Sequence, residues 1–221
     1  MKFSGSLLLL ALIACRTSSS DWPTEYPVDK ATLVPGGSNQ WFPLRVGHRV
    51  VLQQGIQKLV VTVLNETRMV DGVETRVVEE RETEGDRLIE ISRNYFAVDP
   101  ATRNVYYFGE EVDTYENGQV TGHAGSWLSG VNGATFGLWM PGSPRLRARY
   151  SQELAPGVAM DRVEVVAVKE QFADDVGRYQ ECIRTMETTP LEPKAREYKM
   201  YCPGIGLVKD GDLSLVEVTM P

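Results

Sequence analysis

The sequence predicts an all-β protein, in which an antiparallel meander forms a strongly curved sheet or incomplete barrel after an N-terminal signal helix. Two-residue hairpin signals stand at Asp71-Gly72, Asn117-Gly118 and Asp210-Gly211, each between β-prone runs. Such pairs adopt the positive φ angles that tight type I′ turns require. A fourth hairpin is expected around 99–104. Since no useful helical periodicity follows the signal segment, we expect about ten strands, which must curl to protect their edges.

The N-terminal segment predicts export. Lys2 precedes an apolar run, Leu7 to Ile13, which is shorter than the about 20 residues of a membrane-spanning helix and has the length of a signal-peptide core. The quartet Leu12-Ile13-Ala14-Cys15 resembles the lipobox of bacterial lipoproteins. The resemblance implies cleavage before Cys15 and attachment of palmitate or a related acyl chain. Ordinary secretion, with Cys15 incidental, stays open as the alternative.

This resemblance also sets domains and location. Residues 1–14 would be the signal peptide, 15–39 a lipidated tether and 40–221 a single β domain. Arg16 replaces the aspartate that is linked to inner-membrane retention in enterobacterial lipoproteins, so the outer membrane, facing the periplasm, is expected. The membrane would then be a partner through the lipid anchor alone.

The other two cysteines predict a disulfide. If Cys15 carries lipid, Cys182 and Cys202 remain as a pair in an oxidising compartment. If Thr189 pairs with Ala195 across a turn, antiparallel register places the two cysteines opposite each other. A redox or metal pair is disfavoured because the CxxC spacing is missing.

Composition and motifs exclude several classes of function. A net charge of −7 and an isoelectric point near 5.0 disfavour nucleic acid as a partner. The sequence lacks a P-loop, a dinucleotide-binding GxGxxG after a strand and a GxSxG elbow, so we expect no cofactor. His48 and His123 do not stand at metal-ligand spacing, and no metal is expected. The acidic tract 79–86 is interpreted as a solvated edge strand.

A register argument predicts an aromatic wall. If Asp99 pairs with Asn104, Tyr95 lies opposite Phe108 and Ala97 opposite Tyr106, with Arg93 opposite Glu110 at the end of the stripe. We interpret this stripe as the inner wall of the curved sheet.

The glycine-rich segment 122–145 interrupts the strand pattern and carries Trp127, Phe136 and Trp139. Long loops in compact domains are often functional, so the segment is either a binding lid or a plug whose aromatic rings fill the core. The plug is favoured because a curled sheet has to be filled.

Carboxylates supply the catalytic alternative. Asp99, Glu110, Glu153 and Asp161 could act as an acid–base pair of the kind found in glycosidases. Against this, Asp99 stands where a turn-forming aspartate belongs, and Arg93 would neutralise Glu110.

Several stretches resemble a group of uncharacterised bacterial secreted proteins and lipoproteins. They are NYFAVDPATRNVYYFGEEVDTYENG (94–118), GSWLSGVNGATFGLWMPGSP (125–144), YSQELAPGVAMDRVEV (150–165) and TTPLEPKAREYKMYCPGIGLV (188–208). The resemblance implies no activity and no site residues, and Cys202 departs from the group's pattern. More loosely, the expected architecture is similar to that of outer-membrane lipoprotein carriers.

These observations predict a lipid-anchored envelope protein that binds an apolar or amphipathic ligand, or a partner protein, in its concave face. The proposed wall and lid are Tyr95, Tyr106, Phe108, Trp127, Phe136 and Trp139. The alternatives are a hydrolase of envelope glycans or lipids and a structural subunit of an envelope complex.

Overall fold

The structure, a computed structural model, describes residues 22–37 and 39–221. The expected signal helix and Cys15 lie outside the described residues. A single 3₁₀ turn, Lys30–Thr32, precedes the strands. Within the described part of the chain, no helix is long and apolar enough to cross a membrane. The all-β prediction is confirmed.

Fifteen strands form the sheet. They are β1 (Arg49–Gln54), β2 (Gln57–Val70), β3 (Val73–Glu84), β4 (Arg87–Val98), β5 (Val105–Glu116), β6 (Gln119–Gly122), β7 (Trp127–Leu128), β8 (Thr135–Met140), β9 (Arg149–Ser151), β10 (Glu153–Leu154), β11 (Arg162–Ala173), β12 (Arg178–Thr188), β13 (Glu197–Cys202), β14 (Gly206–Asp210) and β15 (Leu213–Thr219).

Most neighbours in the sheet are consecutive hairpins, as a meander requires. The order is β10-β8-β5-β4-β3-β2-β1-β15-β14-β13-β12-β11-β9, with β6 and β7 also pairing with β5. Asp71 and Asn117 adopt positive φ angles of 50° and 51°, and the glycine that follows each does the same. The predicted turns therefore form where Asp-Gly and Asn-Gly stand, between β2 and β3 and between β5 and β6.

The sheet nearly closes on itself. β9 pairs with β11 and β10 pairs with β8, and the chain runs directly from β9 to β10. The two ends of the sheet therefore meet along one line, which we call the seam. Gly137 makes this approach feasible, since a Cβ there would lie 2.1 Å from the carbonyl oxygen of Gln152.

The interior is filled with aromatic side chains at the end near the β4–β5 turn. Phe96 stacks on Tyr107 with ring centroids 4.8 Å apart, and Phe42, from the segment before β1, packs on Phe96 at the same distance. Ile183 of β12 and Tyr201 of β13 belong to the same cluster. Because these strands lie far apart in the sheet order, their shared contacts identify this face as the inside of the barrel.

The predicted aromatic stripe lies on the other face. Tyr95, Tyr106 and Phe108 do share one face, but they form a separate cluster with residues of neighbouring strands and of the segment before β1. Their cover is the segment 22–37, which the sequence places in a tether: the Tyr26 ring lies 6.1 Å from that of Tyr106. Val34 forms a backbone bridge with Val98. The prediction that this stripe lines the inner wall is therefore wrong, because a buried outer face has the same sequence pattern.

The predicted disulfide is confirmed. Ile183 pairs with Tyr201 and Glu187 with Glu197, which is the register deduced from the turn. The bond between Cys182 and Cys202 joins β12 to β13.

Candidate ligand-binding site

A cavity of about 280 Å³ opens beside the seam, and we call it the seam pocket. It is lined by Glu110 and Glu111 of β5, by residues of the segment 126–134 and by Ala155, Pro156 and Val158. Most of these side chains are apolar. The volume is close to the lower end of the range for small-molecule sites.

Gly109 positions Trp127 at the wall of this pocket. Its φ of 120° forms a bulge in β5, and a Cβ there would lie 2.2 Å from the backbone oxygen of Trp127. Only glycine lets β7 approach so closely. The Trp127 ring packs edge-on against Tyr107, with centroids 5.4 Å apart. Trp127 is 6% exposed, and its indole Nε1 is buried without a hydrogen-bond partner.

The same bulge turns Glu110 into the barrel. Between the β4–β5 turn and Gly109, Ala97 pairs with Tyr106 as the sequence predicts. After Gly109, Glu110 pairs with Asn94 and Glu111 with Arg93. The predicted pairing of Arg93 with Glu110 is therefore wrong by one residue. Burial raises the pKa of Glu110 to about 8, with repulsion from Glu80 and Glu90 adding to it. The carboxyl is thus mainly protonated at pH 7.

Glu110 belongs to a group of carboxyls that come from several strands and meet inside the barrel. We call Glu80, Glu110, Glu153, Glu187 and Lys199 the acidic chamber. Burial raises the pKa of Glu80 to about 7 and that of Glu153 well above its usual range. It also raises the pKa of Glu187. The charge of Glu80 acts on Glu110, that of Glu110 acts on Glu153, and that of Glu187 acts on both Glu80 and Glu153. These carboxyls, which lie on β3, β5, β10 and β12, are therefore near one another inside the barrel.

Lys199 supplies the positive charge of the acidic chamber. Its Nζ lies 3.0 Å from Glu187 Oε2 and 3.7 Å from Asp210 Oδ2. Burial lowers the pKa of Lys199, but these carboxylates outweigh that effect and hold the pKa well above the usual value. Lys199 is therefore charged and already paired.

Two buried polar atoms on the inner face lack a partner within the described residues. Glu187 is 6% exposed and its Oε1 receives no hydrogen bond, while Tyr150 is 2% exposed and its hydroxyl is unpaired. Register places both on the inner face, because Tyr150 pairs with Val163 and Val163 with Glu187. Unsatisfied buried groups are rare and often indicate a ligand or an ordered water.

An acidic opening lies between the β3–β4 and β14–β15 turns, and Asp210, which pairs with Lys199, is one of its lining residues. A second cavity of about 480 Å³ lies there, lined in part by Glu82, Glu197 and Asp210 and by Lys58 and Arg87. Burial raises the pKa of Glu197 to about 7. The barrel is therefore aromatic at one end and acidic at the other.

The structure brings three of the four catalytic candidates together. The backbone N–H of Asp161 lies 3.4 Å from Glu153 Oε2. The Asp161 charge adds to the raised pKa of both Glu153 and Glu110, and the Glu110 charge adds to that of Glu153. Asp99 lies at the opposite end, in the β4–β5 turn. There it accepts hydrogen bonds from Ala101 N–H and the Thr102 hydroxyl, which lowers its pKa and marks a structural role.

The predicted ligand-binding residues divide into three groups. Trp127 lines the seam pocket, whereas Trp139 packs against Phe96 and Tyr107 in the aromatic core. Phe136 stacks on Phe108 in the outer cluster, which also contains Tyr95 and Tyr106.

Sequence reasoning missed Glu80, Glu187 and Lys199. A signal for Glu80 was present, since Val78, Glu80 and Glu82 are two residues apart along β3 and therefore share the face on which Val78 is buried. The interpretation of this tract as an edge strand is wrong, because β3 lies between β2 and β4.

Among the residues that the structure describes, no group of three or more histidine, cysteine, aspartate or glutamate side chains is arranged to hold a metal ion. Comparisons with protein-family models, with curated proteins and with solved structures gave no match to this chain.

Proposed function

We propose that this protein binds a small, mainly apolar ligand with a hydrogen-bonding group in the seam pocket. The observation that carries the proposal is Trp127, a residue that lines an open and mainly apolar pocket and whose indole N–H is buried without an acceptor. An unpaired buried donor lowers stability by about 1–3 kcal/mol, and a ligand carbonyl or hydroxyl would relieve this penalty. The protonated carboxyl of Glu110 offers a second polar contact in the same pocket.

The test is a titration with 6-propionyl-2-(dimethylamino)naphthalene, an apolar dye with one carbonyl acceptor and an emission that depends on polarity. We expect saturable binding with one dye per chain. Trp127→Phe keeps an aromatic ring but removes the N–H, and should weaken binding about fivefold, the value of one ordinary hydrogen bond. Trp22→Phe is the matched control, because Trp22 lies near Arg149 and Arg162, away from the pocket. Non-saturable binding, or equal affinities for both variants, contradicts the proposal.

We further propose that the chain works at the outer membrane, held by a lipid on Cys15 and facing the periplasm. The support is the lipobox-like quartet before Cys15 and the oxidised pair Cys182–Cys202, since disulfides persist outside the cytoplasm. Mass spectrometry of the mature N-terminus tests this. We expect the wild type to carry an acyl chain on Cys15 and the Cys15→Ser variant to move to the soluble fraction. An unmodified N-terminus contradicts the proposal.

A hydrolase of envelope glycans or lipids is the second candidate, because Glu110, Glu153 and Asp161 converge. Glu110 holds a proton at neutral pH, as a general acid must. The mechanism also needs an ionised partner, yet burial raises the pKa of Glu153 and of Asp161 as well. Binding therefore explains the site better. If the wild type releases reducing ends from peptidoglycan and Glu110→Gln does not, hydrolysis becomes the better explanation of the site.

A further inference from the structure

We propose that a third cavity, at the aromatic end of the barrel, binds a small phosphate monoester through Arg45 and Arg103. This cavity has a volume of about 340 Å³, and we call it the arginine pocket. It is lined mainly by residues 39–48 before β1, by Arg103 in the β4–β5 turn and by Met220 and Pro221 after β15. It shares no lining residue with the seam pocket, so the inference assigns a separate site and goes beyond the proposed function.

The lining of the arginine pocket is basic. It contains two arginines and no aspartate or glutamate, although the chain has 30 acidic residues and a net charge of −7. Within the described residues, neither Arg45 nor Arg103 forms an ion pair with an acidic side chain or with the terminal carboxylate of Pro221. Arg49, at the start of β1, pairs with Glu217 instead. The arginine pocket therefore presents positive charge that ion pairs of the fold do not use.

Hydrogen bonds hold the walls of the arginine pocket together. Asn39 is 3% exposed, and its side-chain amide donates to the backbone oxygen of Arg103 over 2.9 Å. His48 is 6% exposed, and its Nε2 lies 2.9 Å from the carbonyl oxygen of Ile205. The segment that carries Arg45 is thus tied to the β4–β5 turn and to the start of β14. Both arginines are therefore placed at one cavity before a ligand binds, which lowers the entropic cost of binding.

The chemistry of the two arginines favours a phosphate group. A guanidinium presents a planar fork of N–H donors that matches carboxylates and phosphates. A carboxylate has two oxygens, and one fork is enough to occupy both. The phosphate of a monoester has three terminal oxygens and a charge of about −1.5 to −2 at pH 7, so it is able to bond to both arginines and to neutralise both.

The rest of the lining favours a small, soluble molecule. Apart from glycine, the apolar lining residues are Pro43, Met220 and Pro221. This surface is enough for one ring or a short chain but gives an acyl chain no wall to pack against. We therefore assign the site to a soluble monoester and not to a lipid headgroup.

Calorimetry with phenyl phosphate, in a buffer without phosphate, tests the inference. Benzoate, with one negative charge, and benzyl alcohol, with none, are the reference ligands. We expect one phenyl phosphate to bind per chain, about tenfold or more tightly than benzoate, and benzyl alcohol not to bind measurably. Added salt should weaken the binding, because it screens the charges of exposed arginines.

Arg45→Gln and Arg103→Gln should each weaken the binding of phenyl phosphate about tenfold, since each removes one charged donor group. Both side chains are exposed, so both variants should fold. Arg162→Gln is the matched control, because it removes the same charge from an arginine that lies beside Trp22 and outside the arginine pocket. It should leave the affinity unchanged.

Three results would overturn the inference: equal binding of benzoate and phenyl phosphate, unchanged affinity in both pocket variants, or the same loss of affinity in Arg162→Gln. Tighter binding of dihexanoyl phosphatidic acid than of phenyl phosphate would overturn the assignment to a soluble ligand. The carbonyl dye tests the seam pocket separately, so failure of one proposal is distinguishable from failure of the other.

Discussion

Replacing Glu110 with glutamine should make the protein more stable, and the gain should grow with pH. Gln is close in shape to the protonated carboxyl but does not ionise. The pKa of Glu110 rises from an ordinary value of 4.5 to about 8 in the folded protein. The folded state therefore binds the proton more tightly than the unfolded state. Stability from this proton is complete below pH 4.5 and is lost as the pH rises towards 8.

The size of the effect follows from the same pKa. Between pH 5 and pH 7 the unfolded chain has released the proton and the folded chain has kept it. The wild type should then lose about 1.4 kcal/mol per pH unit through this group, or about 2–3 kcal/mol over the interval. Glu110→Gln avoids that loss, so its advantage over the wild type should increase by about 2 kcal/mol from pH 5 to pH 7.

Urea unfolding at pH 5, 6 and 7, followed by tryptophan fluorescence, measures this difference. Glu111→Gln is the control, because Glu111 is the next residue of β5 but pairs with Arg68, which lowers its pKa. The contribution of the Glu111 carboxyl to stability changes only below pH 4.5. The difference in stability between Glu111→Gln and the wild type should therefore stay constant from pH 5 to pH 7. A constant difference for Glu110→Gln would show that this carboxyl is not held protonated by its surroundings.

Three further predictions concern the scaffold, and urea unfolding at pH 7 checks each of them. Replacing Cys182 and Cys202 together with alanine should lower the free energy of unfolding by about 3 kcal/mol, and an unchanged midpoint would contradict the role of the disulfide. Gly109→Ala should lower it by more than about 2 kcal/mol and shift the emission of Trp127, because the new Cβ would meet that residue's backbone. Tyr26→Phe should lower it by about 1–3 kcal/mol, since it leaves a β9 N–H unpaired, and should leave dye binding unchanged.

Local signals in the sequence determine the features that were predicted well. Asp71-Gly72 and Asn117-Gly118 fix two tight turns through backbone conformation alone. The opposition of Cys182 and Cys202 follows from counting residues away from one turn. Such arguments hold as long as no bulge lies between the turn and the residue in question.

The bulge at Gly109 shows where the counting fails. Ala97 still pairs with Tyr106, but every pair after Gly109 is shifted by one residue from the predicted register. Glu110 therefore lies on the inner face of the sheet and not on the outer face. One glycine in a strand is a known sign of a bulge, yet it does not tell which strand face the next residues take. The most informative residue of the site was therefore assigned the wrong surroundings.

Burial on both faces of β4 and β5 explains the misplaced aromatic wall. Tyr95 and Phe96 are neighbours in sequence and both are buried, one on each face. Alternation cannot then distinguish the inside of the barrel from the outside. The deciding element is the segment 22–37, whose proline-containing sequence has no strand periodicity but which covers the outer face through Tyr26, Val28 and Leu33.

The acidic chamber makes stability and binding opposing demands on the same side chain. Burial keeps Glu110 protonated, so at neutral pH the carboxyl makes the fold less stable than an amide of the same shape would. Natural proteins retain such groups mainly at functional sites. If Glu110→Gln is more stable and also binds the carbonyl dye more weakly, the lost stability is explained by ligand binding. If it is more stable and binds the dye as tightly as the wild type does, Glu110 has no part in ligand binding, and the proposed site depends on Trp127 alone.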